Sequence, residues 1–351
     1  MSSVAVVKPD HLGDFVLSLP AINALRAHFG NIDLMIAPEV EFLQQHFIPD
    51  IESIPLKLKH LQREGSGLTE SELVDFLRGY EIVIFLRDDH VVHYAAARLD
   101  AMVCVTDSRR RAHETAIQRD AVCQIIAPYS RSDFFPKAVS AWPRQIREVG
   151  LCISAGFLAN KWPLVKWHEL AHLFRDQDCQ IRLIGGPNEV QELRALAHML
   201  ELDGKAIVVG SRDLAGFYAE LESCDVIIGT DSGTLHIVSC IKPVLGIFTS
   251  SPWWRFCPYG RHHRLVTADV VCSPCVQFST HILNACLARE CSALITPSLV
   301  SEIARLDTQN PGIKPLRTVK AITGPSHVLS LPSLVAVGGD IAARPRSATS
   351  A

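Results

Sequence analysis

Residues 4–29 read VAVVKPDHLGDFVLSLPAINALRAHF. A short continuous apolar run, VAVVK, stops at a polar turn, and an apolar helix-like run follows. The first run reads as a buried strand. In the second, Leu17, Ala21, Ala24, Leu25 and Phe29 fall near one helical face over residues 15–29. Pro20 lies inside that pattern and predicts a kink or a late helix start. A buried strand feeding a helix is the unit from which parallel α/β sheets are built.

The alternation continues outward from this stretch. IDLMIA (32–37), YEIVIFL (80–86) and AMVCVT (101–106) read as strands, with EFLQQHF (41–47) as a short helix. LCISAG (151–156) is a strand ending in a loop, followed by PLVKWHELAHLFRDQ (163–177), a helix with Pro163 suited to its first turn. QIRLIGG (180–186), AIVVG (206–210), CDVIIGT (224–230) and VLGIFT (244–249) are further strands, and NEVQELRALAHML (188–200) a further helix. The pattern pauses in a proline- and aromatic-rich segment near 130–148. It therefore implies a domain over 1–140, a second over 141–307, and a loosely ordered tail over 308–351 in which HVLSLPSLVAV offers an extended piece. Two such domains face each other across a cleft at the carboxyl ends of their strands.

Composition narrows the function classes. The chain has 351 residues, 48% of them hydrophobic, and a formal net charge of −3. The core is sizeable, and the basic surplus of a general nucleic-acid or membrane-surface binder is missing. No targeting segment and no apolar run long enough to span a bilayer is visible, so a cytoplasmic location is expected. Of the 11 cysteines, seven are scattered through apolar segments like small hydrophobes. Cys272, Cys275, Cys286 and Cys291 cluster.

Three strand-to-helix loops carry chemistry. In GTDSGTLHIVSC (229–240), small residues let backbone approach a ligand, and free N–H groups at a helix start favour phosphate. The same turn also fits an ordinary N-cap by Asp231 or Ser232. In SAGFLANKWPLVKW (154–167), Lys161 just before the helix suits a pyrophosphate, or is a surface lysine. In LIGGPNEVQEL (183–193), Glu189 suits ribose hydroxyls, or is an acidic first-turn residue favoured by the helix dipole. None of the three is a GxGxxG or Walker loop.

Together, VVKPDHLGDFVLSLPAINALR, SAGFLANKWPLVKWHELA, LIGGPNE and GTDSGTLHIVSCIKPVLGIFTSSPWWRFCPYG resemble glycosyltransferase family 9, the ADP-heptose:lipopolysaccharide heptosyltransferases, over about residues 4–300. The resemblance implies an α/β GT-B fold: two Rossmann-like domains with parallel sheets across a cleft, the acceptor on the N-terminal side and the nucleotide sugar on the C-terminal side. It implies inverting transfer of a heptose from ADP-heptose to an acceptor hydroxyl, as of lipopolysaccharide inner core, with no metal needed for catalysis. Asp14 becomes the catalytic base, although locally it also reads as an N-cap. Lys161 and the Ser232, Gly233, Thr234 and Leu235 turn meet the departing diphosphate. Asp231 lies near the donor sugar, Glu189 at the ribose, and Lys8 near acceptor or phosphate. Gly13 allows close approach of substrate or of the opposite backbone. His236 donates to phosphate or is a buried structural histidine.

On the acceptor side, Arg87, Asp88, Asp89, His90 and His93, with Arg109, Arg110 and Arg111, suit an anionic saccharide or simply form a solvated loop. The C-x2-C-x10-C-x4-C run from Cys272 to Cys291 suits structural zinc or iron, or is four reduced thiols. In relatives that glycosylate proteins, such clusters serve assembly. Expected partners are a nucleotide sugar and a saccharide or protein acceptor, without nucleic acid and with at most peripheral membrane contact. Other readings are a protein or secondary-metabolite acceptor, a sugar epimerase of the same fold, and a nucleotide-sugar-binding protein that has lost transfer.

Overall fold

The computed structural model describes residues 3–62, 65–135, 139–202, 206–208, 213–260, 262–270, 272–275, 286, 289–306 and 333–338. Two parallel sheets organise them. The first holds β1 (Val4–Lys8), β2 (Asp33–Ile36), β3 (Ser53–Pro55), β4 (Ile82–Phe85) and β5 (Met102–Val105), in the order β3-β2-β1-β4-β5. The second holds β6 (Glu148–Cys152), β7 (Gln180–Gly185), β8 (Ala206–Val208), β9 (Val226–Thr230), β10 (Val244–Phe248), β11 (Arg264–Asp269) and β12 (Ser333–Gly338), in the order β12-β11-β10-β9-β6-β7-β8. Both orders reverse beside their first strand, at β1/β4 and at β6/β9. Those are the switch points where open α/β sheets leave a crevice for ligands.

The crossovers are helices, as the alternation requires. In the first half they are α1 (Leu12–Phe29), α2 (Glu41–Phe47), α3 (Glu70–Leu77), α4 (His90–Ala96) and α5 (Glu114–Val122). In the second they are α6 (Leu164–Arg175), α7 (Val190–Met199), α8 (Leu214–Glu220), α9 (Gly233–Ser239), α10 (Trp253–Phe256), α11 (Glu290–Leu294) and α12 (Pro297–Arg305). The helix expected over 15–29 starts earlier, at Leu12, and runs through Pro20 without a late start. Of the tail expected over 308–351, the described residues are Ser333–Gly338, and they lie parallel to β11, with Leu265 opposite Leu334.

The halves share one apolar cluster. Phe15, Val16, Leu19 and Ile22 of α1 belong to the same buried group as Leu235, Ile237 and Val238 of α9. Trp167, Leu170 and Phe174 of α6 pack instead with β6, β7 and β9 in a separate cluster. Helices α1 and α9 therefore fasten the two sheets at their switch points. Among the described residues, no helix is long and apolar enough to cross a membrane.

Candidate active site

The first half of the site is the turn after β1. Its helix is capped by His11, whose side chain makes no capping bond. Asp14 is thus not the N-cap but lies inside the first turn, where the helix dipole favours its charge. The Asp14 carboxylate is half-buried, and among the described residues no hydrogen bond or ion pair is made to it; the groups that act on it do so through their charge alone. Burial raises its pKa above the ordinary aspartate value, and the negative charges of Asp10 and Glu114 add to the shift, against Lys8 and His11. A carboxylate that is unpaired and reluctant to ionise is the kind that accepts a proton near neutral pH.

Beneath Asp14 lies an ion-pair network. Lys8 is 2% exposed. Its Nζ donates to the Leu86 carbonyl at 2.9 Å and meets Asp10 at 3.1 Å. Arg87 joins Asp10 at 2.5 Å and also pairs with Asp89, which in turn meets His60 at 3.1 Å. Against the effect of burial, Lys8 and Arg87 hold the Asp10 carboxyl below the usual range. Lys8 is therefore bonded inside the protein rather than presented to an anionic ligand. Its charge reaches the site through its effect on Asp14. Of the other acceptor-side residues, Asp88 accepts from the Ser108 N–H at 2.7 Å and pairs with His93 at 2.6 Å. Arg109 pairs with Asp107 at 2.8 Å, and Arg110 with Asp120. His90 lies 3.6 Å from Glu70, and Arg111 stacks 4.4 Å from the centre of the Trp254 ring in the other half.

The second half of the site is the turn after β9. Ser232 caps α9, its hydroxyl accepting from the Leu235 N–H at 3.2 Å. Ser232, Thr234, Leu235 and His236 are buried. Asp231 is half-buried, with one oxygen 3.8 Å from His236 Nε2 and the other accepting from Asn160 Nδ2 at 3.3 Å. His236 Nδ1 is buried without a hydrogen-bond partner among the described residues.

The two turns touch. A Cβ on Gly13 would sit 2.8 Å from His236 Cδ2 and 3.4 Å from Gly233 Cα. A Cβ on Gly233 would sit 2.8 Å from Leu12 Cβ and 3.2 Å from the Gly13 nitrogen. Paired glycines bring two helix starts into backbone contact, so Gly13 admits the opposite backbone. The halves also meet through a buried ion pair, Arg255 to Glu114 at 2.8 Å, and through His113 Nε2 donating to the Cys257 carbonyl at 2.8 Å. Burial lowers the His113 pKa to about 4, so this contact is made by the neutral ring. Glu114 and Arg255 are absent from the sequence reading. Only their pairing across the halves, far apart in the chain, distinguishes them from surface charges.

The remaining donor-side residues divide. Glu189 is buried, and its carboxylate accepts from the Gly186 N–H at 3.0 Å, closing its own loop. Lys161 is turned outward, with its Nζ 2.6 Å from Glu192 on α7. A cavity of about 230 Å³ lies there, lined by Lys161, Glu192, Trp162, Trp167 and Arg289 among others. Lys161 has extended backbone, between Asn160 and Trp162, which are 2% and 3% exposed. Asn160 ends a short 3-10 helix, Leu158–Asn160, and at Lys161 the chain turns extended, so the buried Asn160 and Trp162 flank a lysine whose side chain is 31% exposed.

Of the cysteine run, Cys275 and Cys291 are buried, Cys286 half-buried and Cys272 exposed. Burial raises the thiol pKa of Cys275 and that of Cys291, the latter to about 11, and the neighbouring thiols add to both shifts. The four are thus within electrostatic reach of one another. Yet among the described residues no group of three or more His, Cys, Asp or Glu side chains is arranged to hold a metal ion. Residues 276–285, 287 and 288 lie outside the described residues.

Both sheets thus reverse beside their first strands, and the two helix starts meet through Gly13 and Gly233, one residue from the unpaired Asp14. Residues 109–285, just over half of the chain, match the sequence model of glycosyltransferase family 9 (heptosyltransferase). The chain belongs to glycosyltransferase family 9. No curated protein matches it. Solved family-9 structures have its fold. A glycosyl transferase of family 9 from Veillonella parvula superposes with a TM-score of 0.61 at 17% identity, covering 87% of this chain and 97% of its own. The ADP-heptose lps heptosyltransferase II of E. coli gives 0.60 at 17%, covering 86% and 96%. The E. coli heptosyltransferase WaaC, solved with ADP, gives 0.53 at 16%, covering 75% and 92%. This family-9 transferase thus has the GT-B architecture that its four sequence stretches imply.

Proposed function

We propose that this transferase moves a heptose from ADP-heptose to a hydroxyl of lipopolysaccharide inner core, with inversion and without a catalytic metal. The observation that carries the reading is Asp14: an unpaired carboxylate of raised pKa, in the turn after β1 and next in the chain to Gly13, which meets the opposite helix start. The acceptor oxygen attacks the anomeric carbon as the bond from that carbon to the β-phosphate oxygen breaks. Asp14 takes the acceptor's proton, and ADP leaves with the electron pair. Asp231 holds sugar hydroxyls, and the Ser232–Leu235 backbone with His236 faces the diphosphate. Glu189 serves the ribose by exchanging Gly186 for a hydroxyl. Lys161 joins by exchanging Glu192, an exposed partner, for the diphosphate. Lys8 acts at a distance, through the charge it sets beside Asp14.

In this reading the acceptor lies with residues 1–140 and the nucleotide sugar with residues 141–307. The protein works in the cytoplasm, reaching its acceptor with at most peripheral membrane contact. Support comes from family membership, from the neighbour solved with ADP, and from the neighbour named for ADP-heptose and lps. Incubation with ADP-heptose and heptose-free inner core tests it. A heptosylated product of inverted configuration, formed equally with and without EDTA in a short assay, is expected. Absence of product with active donor and acceptor controls overturns the reading. Heptosylation of a protein instead of the saccharide moves the acceptor and leaves the donor in place.

A further inference from the structure

Asn160 is the side chain that the donor loops converge on. It is 2% exposed and is the residue immediately before Lys161. Its Nδ2 donates to Asp231 Oδ2 at 3.3 Å and to Ser251 Oγ at 2.7 Å, while its Oδ1 accepts from the Ser250 hydroxyl. One amide thus links the loops after β6, β9 and β10. An ionised carboxylate only accepts, so the NH2 end must face Asp231, and the Ser250 hydroxyl then fixes the other end.

We infer that Asn160 is a positioning residue, which orients the Asp231 carboxylate to receive the sugar half of the nucleotide sugar. The inference rests on the reading of Asp231 as a donor-site residue. Asn160 holds Asp231 at Oδ2, and the His236 ring lies 3.8 Å from Oδ1. Loop closure does not need the amide. The Thr249 hydroxyl already binds the Ala159 carbonyl at 2.9 Å, and the Trp162 indole binds the Ile295 carbonyl at 3.1 Å. The bond to Asp231 therefore fixes a carboxylate rather than a backbone. A hydrogen bond to a charged group contributes enough to be read as about a tenfold change in affinity. Binding to ADP, which lacks the sugar, is independent of it.

The test is calorimetric titration of the intact protein with ADP-heptose and, separately, with ADP. Asn160→Asp keeps the shape but sets a carboxylate against a carboxylate, and Asn160→Ser removes the amide. Both are expected to lose about tenfold or more in nucleotide-sugar affinity, with ADP affinity and thermal midpoint close to the parent's. Unchanged nucleotide-sugar affinity in both variants overturns the inference. So does an equal loss for ADP and ADP-heptose, which is the mark of a damaged loop. Asp231→Asn is the control: if it binds ADP-heptose like the parent, the reading of Asp231 falls before Asn160 is judged. Should neither Asn160 variant fold, Ser250→Ala carries the test alone. It leaves both acceptors of Nδ2 in place, and an unchanged ratio of the two affinities overturns the inference.

Discussion

The turn after β1 and the turn after β9 occupy the same place in their sheets and are finished differently. Each is a strand end, a short polar turn, a glycine and a helix start. In the β9 turn the cap and the carboxylate are tied: Ser232 caps its helix, and Asp231 is held by Asn160 and faces His236. In the β1 turn the cap makes no side-chain bond, and among the described residues the Asp14 carboxylate has no hydrogen bond or ion pair. A tied carboxylate is fixed in place, which suits holding a ligand. An untied, half-buried one is held at a raised pKa, which suits taking a proton.

Asp14→Asn breaks the comparison most severely. Turnover should fall at least ~100-fold, the usual contribution of a general base, with little change in nucleotide-sugar affinity. Stability should move the other way. The folded protein binds the Asp14 proton more tightly than the unfolded chain does, because its pKa is raised. That group therefore opposes folding above the raised pKa and ceases to do so as the pH falls through it. The variant's thermal midpoint should exceed the parent's at neutral pH, and the gap should close in acid. In the parent, the acid limb of kcat/KM should lie above the ordinary aspartate range. A near-normal turnover in Asp14→Asn, measured with saturating substrates, removes Asp14 from the chemistry.

Gly233→Ala tests whether contact between the turns matters. The new methyl would meet Leu12 Cβ at 2.8 Å and the Gly13 nitrogen at 3.2 Å, and backbone yields less than a side-chain tip. Separating the turns moves Asp14 from the bond being made, and a displacement near 1 Å carries a loss on the order of 100-fold. We expect kcat to fall by about 10- to 100-fold, with ADP affinity less affected. If kcat is unchanged while the folded structure is intact, the contact has no bearing on transfer.

The fold was legible because buried parallel strands write themselves as unbroken apolar runs, and the helices between them repeat the signal. The contact between Gly13 and Gly233 was half legible: glycine announces a close approach without saying to what. The side chain at the donor turn was not legible, because Asn160 and Lys161 are adjacent polar residues in one loop. Charge favoured the lysine, and only the bonds from Asn160 to Asp231 and Ser251, far away in the chain, show that the amide faces inward. Ser333–Gly338 was readable as an extended piece. Its pairing with β11 was not, since hydrogen bonds between strands leave no trace in composition.

Lys161 and Glu192 give a smaller effect, with a sign that distinguishes two roles. The two side chains are 31% and 42% exposed, so the pair's own contribution to stability is at most about 1 kcal/mol. If Lys161 leaves Glu192 for the diphosphate, Lys161→Ala weakens nucleotide-sugar binding several-fold and lowers kcat. Glu192→Gln, by freeing the ammonium, strengthens binding. Opposite signs are the expected result in titrations with ADP-heptose. Parent-like affinity in both variants would mean that the lysine serves only its surface pair.

The cysteine run should leave the chemistry nearly untouched. It is joined to the second sheet through backbone: the Cys275 N–H donates to the Ser250 carbonyl at 3.0 Å. That contact braces the loop after β10 without bringing a thiol to Asp14 or Asp231. Cys275 and Cys291 are buried thiols with raised pKa, and each is shifted further by the other members of the cluster. Binding zinc or iron would require the loss of those protons and a closer convergence than the described residues have. Elemental analysis of anaerobically purified protein distinguishes the states: about one equivalent per chain for a structural site, none for reduced thiols. If metal is present, Cys275→Ser should release it and lower the thermal midpoint, while kcat per folded molecule changes less than in any variant above. A collapse of kcat with the fold intact would place the cysteines in the transfer step.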